Sequence, residues 1–132
     1  MIAEVAERCE CVSGDYFKAV PRGGNVYLLS QVIHSWGEEK SLKLLQNCHR
    51  AMTANGKLLL IERVIPTGSE VPFEMAVQSI SLMLETGGRE RNQAQFRELL
   101  QRAGFTLTRV HPTASPLYVL EGVRMEVRGE KV

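Results

Sequence analysis

Two nearly uninterrupted apolar runs, residues 25–33 (NVYLLSQVI) and 57–65 (KLLLIERVI), constrain this chain more than any other feature of it. A strand with one wet face alternates apolar and polar residues. A run that is apolar at almost every position suits a strand buried on both faces, and such strands belong to parallel sheets covered by helices. Between the runs, Leu42, Leu45, Cys48 and Met52 recur at near-helical spacing over residues 38–52, and Asn55-Gly56 supplies a stop. Strand, helix and strand in this order predict a parallel pair joined by a crossover helix.

The flanking segments extend the pattern. Residues 8–14 alternate, with Cys9, Cys11 and Ser13 on one side, and predict a further strand ended by Gly14-Asp15. Residues 73–84 and 92–103 predict two helices, the second started by Asn92 and closed by Gly104. Residues 105–110 and 117–123 alternate like an antiparallel pair, joined through Pro112, Ser115 and Pro116. The expected class is α/β: a partial Rossmann-like sheet, mostly parallel with crossover helices, ending in an antiparallel hairpin.

A chain of 132 residues has room for one domain. A formal charge of +1 gives no broad attraction for phosphate backbones or anionic membranes, so neither nucleic acid nor membrane is an expected partner. No apolar run approaches the roughly 20 residues that cross a bilayer. Cys9, Cys11 and Cys48 lack zinc-like spacing and fit reduced thiols, so no metal site and a soluble, cytoplasmic protein are expected.

Ligands of α/β sheets bind at the carboxyl ends of parallel strands, and three polar residues are delivered there. His34 follows the first apolar run (VIHSW), Glu62 interrupts the second (LLLIE), and Glu90 follows a turn pair (GGRER). A carboxylate beside an imidazole fixes its tautomer and makes it more basic, as a general base acting on a hydroxyl requires. A histidine at a strand end often only caps or hydrogen-bonds locally, so spacing alone does not assign it.

GDYFKAVP, VIHSW, LLLIERVIP, GGRERN, FRELLQRAGF and TASPLYVLEG occur in an order and at separations that resemble the S-adenosylmethionine-dependent small-molecule O-methyltransferases, both plant caffeate and flavonoid enzymes and microbial antibiotic-tailoring ones. The resemblance covers nearly all of residues 8–122. It implies that His34 removes the proton of the acceptor hydroxyl while Glu62 and Glu90 flank and orient it. It further implies S-adenosyl-L-methionine as cofactor, with Asp15 and Tyr16 beside its adenine and Ser30 where plant members carry lysine. Ser35 stands in place of an aspartate common after the histidine. Ser79, Met83 and Glu85 fall in a helix that lines the acceptor pocket in the family, without matching the plant pattern closely enough to name an acceptor.

The family's Gly-rich cofactor turn and its acidic ribose contact have no counterpart here. Gly23-Gly24 and Gly87-Gly88 do not sit between a strand and a helix and read as ordinary turns. By this resemblance the chain corresponds to the carboxyl-terminal portion of the catalytic domain, without the first two strands and the amino-terminal dimerisation domain. The sheet would then expose an edge, which invites homo-oligomerisation or association with another chain, direct pairing of this chain's first strand with its second, or aggregation. The isolated chain is expected to be inactive. Alternatives to an enzyme are a non-catalytic assembly module, or an inactive truncated product that needs a partner supplying the missing strands.

Overall fold

The computed structural model describes residues 3–66 and 73–125, with no side-chain detail for residues 3, 4 and 86. A short helix α1 (Ala3–Ala6) is followed by strand β1 (Val26–Ser30), helix α2 (Glu38–Ala51), strand β2 (Lys57–Ile65), helix α3 (Phe73–Thr86), a two-residue strand β3 (Arg91–Asn92), helix α4 (Gln93–Ala103) and strands β4 (Phe105–Pro112) and β5 (Leu117–Arg124). The sheet has five strands in the order β1-β2-β5-β4, with β3 beside the far end of β2. β1 and β3 run parallel to β2, whereas β5 is antiparallel to both β2 and β4. The expected α/β class, crossover helix and closing hairpin are all present.

The core lies between one face of this sheet and the helices α2 and α4, which pack against each other. Leu58 and Leu60 of β2 meet Leu44, Leu45 and Cys48 of α2 and Phe96, Leu99 and Leu100 of α4. The buried stripe of α2 is centred on Leu44 and Leu45, and Leu42, read from the sequence as part of it, is half-buried. Glu38 and Glu39 in the first turn and His49 and Arg50 in the last match the helix dipole. Asn92 caps α4 in a reciprocal box with Gln95, and Gly104 ends it with a φ of 98°, as the sequence predicts. On its other face the sheet is less covered: Val26 and Leu28 are 54% and 55% exposed.

One expected strand is absent. Residues 9–14 have no regular structure and are exposed, although Cys9, Cys11 and Ser13 alternate as a strand would. A strand exists only when its backbone groups find a ladder partner. Among the described residues no strand lies beside this segment, and the outer edge of β1 is unpaired. Alternation survives in the sequence, but nothing is there to convert it into a strand.

Candidate active site

The chain leaves β1 abruptly. Gln31 adopts a φ of 55°, a left-handed conformation that costs a non-glycine residue roughly 1 kcal/mol or more, and its N–H donates to the Ile61 carbonyl at 2.8 Å. This bend turns residues 33–35 into a single 3-10 turn at the carboxyl end of β1, with Ile33 inserted into the core and His34 half-buried at the rim. β2, running parallel alongside, carries Glu62 one residue beyond the last rung it shares with β1. Glu62 lies on the inward face of β2 and is fully buried.

The two side chains meet. His34 Nδ1 and Glu62 Oε1 are 3.0 Å apart, and the His34 backbone N–H donates to Glu62 Oε2 at 3.3 Å. The carboxylate therefore has both oxygens engaged by one residue, which answers the cost of burying it. The hydrogen bond to Glu62 raises the His34 pKa above its ordinary value of 6.5, against the opposing effect of burial; the charges of Glu62 and Glu90 add to the rise and that of Arg63 subtracts from it.

Glu90 completes the group electrostatically. It is 4% exposed, its backbone N–H donates to Ser79 Oγ at 3.3 Å, and neither carboxylate oxygen has a hydrogen-bond partner among the described residues. Burial raises its pKa, partly offset by the His34 charge. His34, Glu62 and Glu90, separated in sequence, thus share one end of the sheet.

Residues outside this trio hold this end together. Arg91 is fully buried and Glu38 pairs with it, Nε to Oε1 at 2.9 Å, and with Arg89 at 3.1 Å. The two arginines that flank Glu90 turn to Glu38 and to the turn of residues 33–36. Gly88 packs so closely that an added Cβ would lie 2.1 Å from the His34 carbonyl oxygen. The sequence signal for this role was present in the GGRER cluster, but which acceptors the guanidinium would meet depended on the turn it faces.

The residues expected beside a cofactor are only partly gathered. Asp15 and Tyr16 line a cavity of about 580 Å³ whose walls include Val12, Tyr27, Leu28 and Leu29. Ser30, exposed at the end of β1, is not among its lining residues. Asp15 Oδ1 already accepts from the Phe17 N–H at 2.9 Å, and Tyr16 is 37% exposed. Trp36 Nε1 donates to Tyr16 Oη at 3.2 Å, and Asn47 Nδ2 to the Tyr16 carbonyl at 3.0 Å, so the segment is tied to the His34 turn and to α2. Trp36 is half-buried, set edge-on to Phe17 with Lys40 Nζ 4.9 Å from its ring centre. The apolar wall and the aromatic Tyr16 suit a purine face.

A basic imidazole paired with a buried carboxylate, at the carboxyl rim of parallel strands, puts the chain in the class of α/β proteins that carry a titratable pair at the end of the sheet where ligands bind. Comparison with known proteins narrows this class. The O-methyltransferase domain family matches residues 1–106, and the chain belongs to that family. It is 44% identical over 119 residues to the phenazine O-methyltransferase PhzM of Lysobacter antibioticus, covering 90% of this chain and 35% of that protein. It is 38% identical over 115 residues to the 3-amino-4-hydroxybenzoate 4-O-methyltransferase of Streptomyces cremeus, covering 87% and 31%. Among solved structures, the calicheamicin-biosynthesis methyltransferase CalO1, in its SAH-bound form, superposes with a TM-score of 0.81 at 34% identity, covering 94% of this chain and 37% of that one. The chain thus spans about a third of the length of the curated relatives it matches.

Proposed function

We propose that this chain is the carboxyl-terminal portion of an S-adenosylmethionine-dependent O-methyltransferase catalytic domain, with His34 as the general base for a hydroxyl on a small aromatic acceptor. The observation that carries the reading is the 3.0 Å contact between His34 Nδ1 and the buried Glu62 carboxylate. With Nδ1 committed to Glu62, Nε2 is the ring nitrogen that takes the acceptor's proton. Glu62 stabilises the imidazolium that results, and the charge of Glu90 adds to that effect. Asp15 and Tyr16 would hold the adenosyl end of the cofactor, with Ser30 as a more distant contact. When bound, S-adenosyl-L-methionine supplies an electrophilic methyl group on a sulfonium. An aromatic acceptor is supported by the phenazine and aminohydroxybenzoate named for the relatives.

A positioned base contributes on the order of 10² to 10⁴ in rate. The test is methyl transfer from labelled S-adenosylmethionine to phenazine and hydroxybenzoate phenols. It is run with the chain alone and with a second polypeptide carrying the family's Gly-rich strands. His34→Ala should lower turnover by about that factor and leave cofactor affinity nearly unchanged. Near-native turnover by His34→Ala would remove the base assignment.

A second reading, a module that functions only by assembling with such a polypeptide, is favoured by the unpaired edge of β1 and the exposure of Val26 and Leu28. Neither described glycine pair sits between a strand and a following helix: Gly23-Gly24 precede β1 and Gly87-Gly88 follow α3. Turnover only in the presence of the second polypeptide is therefore the expected result. Equal turnover by the chain alone would exclude the assembly reading.

A further inference from the structure

We infer that Arg91 is a positioning residue for His34: its guanidinium, buried under the turn that carries the imidazole, sets where that ring stands against Glu62. The role rests on reading His34 as the base, but its physical content, the placement and titration of His34, is measurable without any turnover.

Arg91 donates from Nη1 to the Ile33 carbonyl at 3.2 Å, from Nη2 to the Trp36 carbonyl at 3.0 Å and to Ser41 Oγ at 3.4 Å, and from Nε to Glu38 Oε1 at 2.9 Å. Ile33 and Trp36 lie on either side of His34, so one planar group grips the turn at both ends. The turn needs such a grip. It has little internal bonding, Ser35 N–H to the Val32 carbonyl and Trp36 N–H to the Ile33 carbonyl, each 3.1 Å, and it begins at the strained Gln31. From the opposite side the Arg89 N–H donates to the His34 carbonyl at 2.9 Å.

A lysine at this position would keep the charge but present a single point donor, whereas the rigid five-donor fork meets carbonyls, a hydroxyl and a carboxylate together. Glu38 balances the buried cation and is itself 39% exposed, so it can be altered without opening the core. The charged groups that act on His34 are Glu62 and Arg63 of β2 and Glu90 ahead of β3. Arg91 is not among them, so its influence on the ring is exerted through geometry.

The experiment is nitrogen-15 NMR of the three histidine side chains of this chain over a pH series, in the native protein and in Arg91→Lys and Glu38→Gln. The native His34 should show a hydrogen-bonded Nδ1–H and a pKa above 6.5. In Arg91→Lys, with cooperative melting retained, the Nδ1–H signature of His34 should be lost and its pKa should fall toward 6.5. Glu38→Gln should move His34 the same way by less, and it decides the matter if Arg91→Lys does not fold. His34 signals unmoved in every folded variant, whatever happens to the melting temperature, would reduce Arg91 to a purely structural residue and overturn the inference. Loss of the methyltransferase reading would show separately, as undiminished turnover of His34→Ala.

Discussion

At the residue scale, the site depends on close approach as much as on charge. Gly88 stands where a Cβ would come within 2.1 Å of the His34 carbonyl oxygen and 2.4 Å of the Ser35 carbonyl carbon, both backbone atoms that cannot step aside. Gly88→Ala should therefore cost about 1–3 kcal/mol, seen as a lower urea midpoint, and displace the His34 ring signals. The titrating groups also give stability a defined pH dependence. Folded His34 binds its proton more tightly than an unfolded histidine, so the stability it contributes is complete below pH 6.5 and is lost as pH rises through its raised pKa. Glu90, raised by burial, acts with the same sign from its ordinary 4.5 upward. Burial also pushes Glu38 upward, but the hydrogen bonds and charges of Arg91 and Arg89 outweigh it, so its stability is present above 4.5 and lost on acidification through its lowered pKa. Urea melts across pH should show stability declining above pH 6.5, and His34→Ala should flatten that limb; a decline that persists unchanged would assign it to another group.

At the element scale, the segments with strong local signals form where the sequence places them. β2 occupies Lys57–Ile65, as the apolar run implies, and α4 is bounded by the Asn92 cap and Gly104. Asn92→Ala removes the acceptor of the Gln95 N–H and should lower stability by about 1 kcal/mol, measurable by urea unfolding. Leu84 and Phe73 of α3 are more than 80% exposed, so the apolar stripe that made this helix legible does not reach the core between the sheet and helices α2 and α4. Residues 9–14 show the opposite outcome, a strand-like alternation with no strand, because pairing is not a property of one segment. β3 was invisible for a related reason: two residues carry no periodicity, and only β2 beside them makes Arg91 and Asn92 a strand.

At the scale of the whole molecule, the sheet formed by the described residues ends at β1 with an unpaired edge and two exposed apolar side chains. Such an edge is a template for another strand, so the chain should self-associate with rising concentration in sedimentation velocity. Leu28→Lys should weaken that association without lowering the melting temperature, since Leu28 is already 55% exposed. Concentration-independent monomer in the native chain would refute this. The class of fold, the crossover pair and the delivery of His34, Glu62 and Glu90 to one rim were legible in the sequence, because apolar periodicity and strand-end position are local and additive. The tertiary structure alone decided that Glu62 rather than Glu90 bonds the ring, that Arg91 turns under the His34 loop, and that residues 9–14 stay unpaired. Each of these depends on which backbone or side-chain partner comes within about 3 Å, a distance set by the packing of segments far apart along the chain.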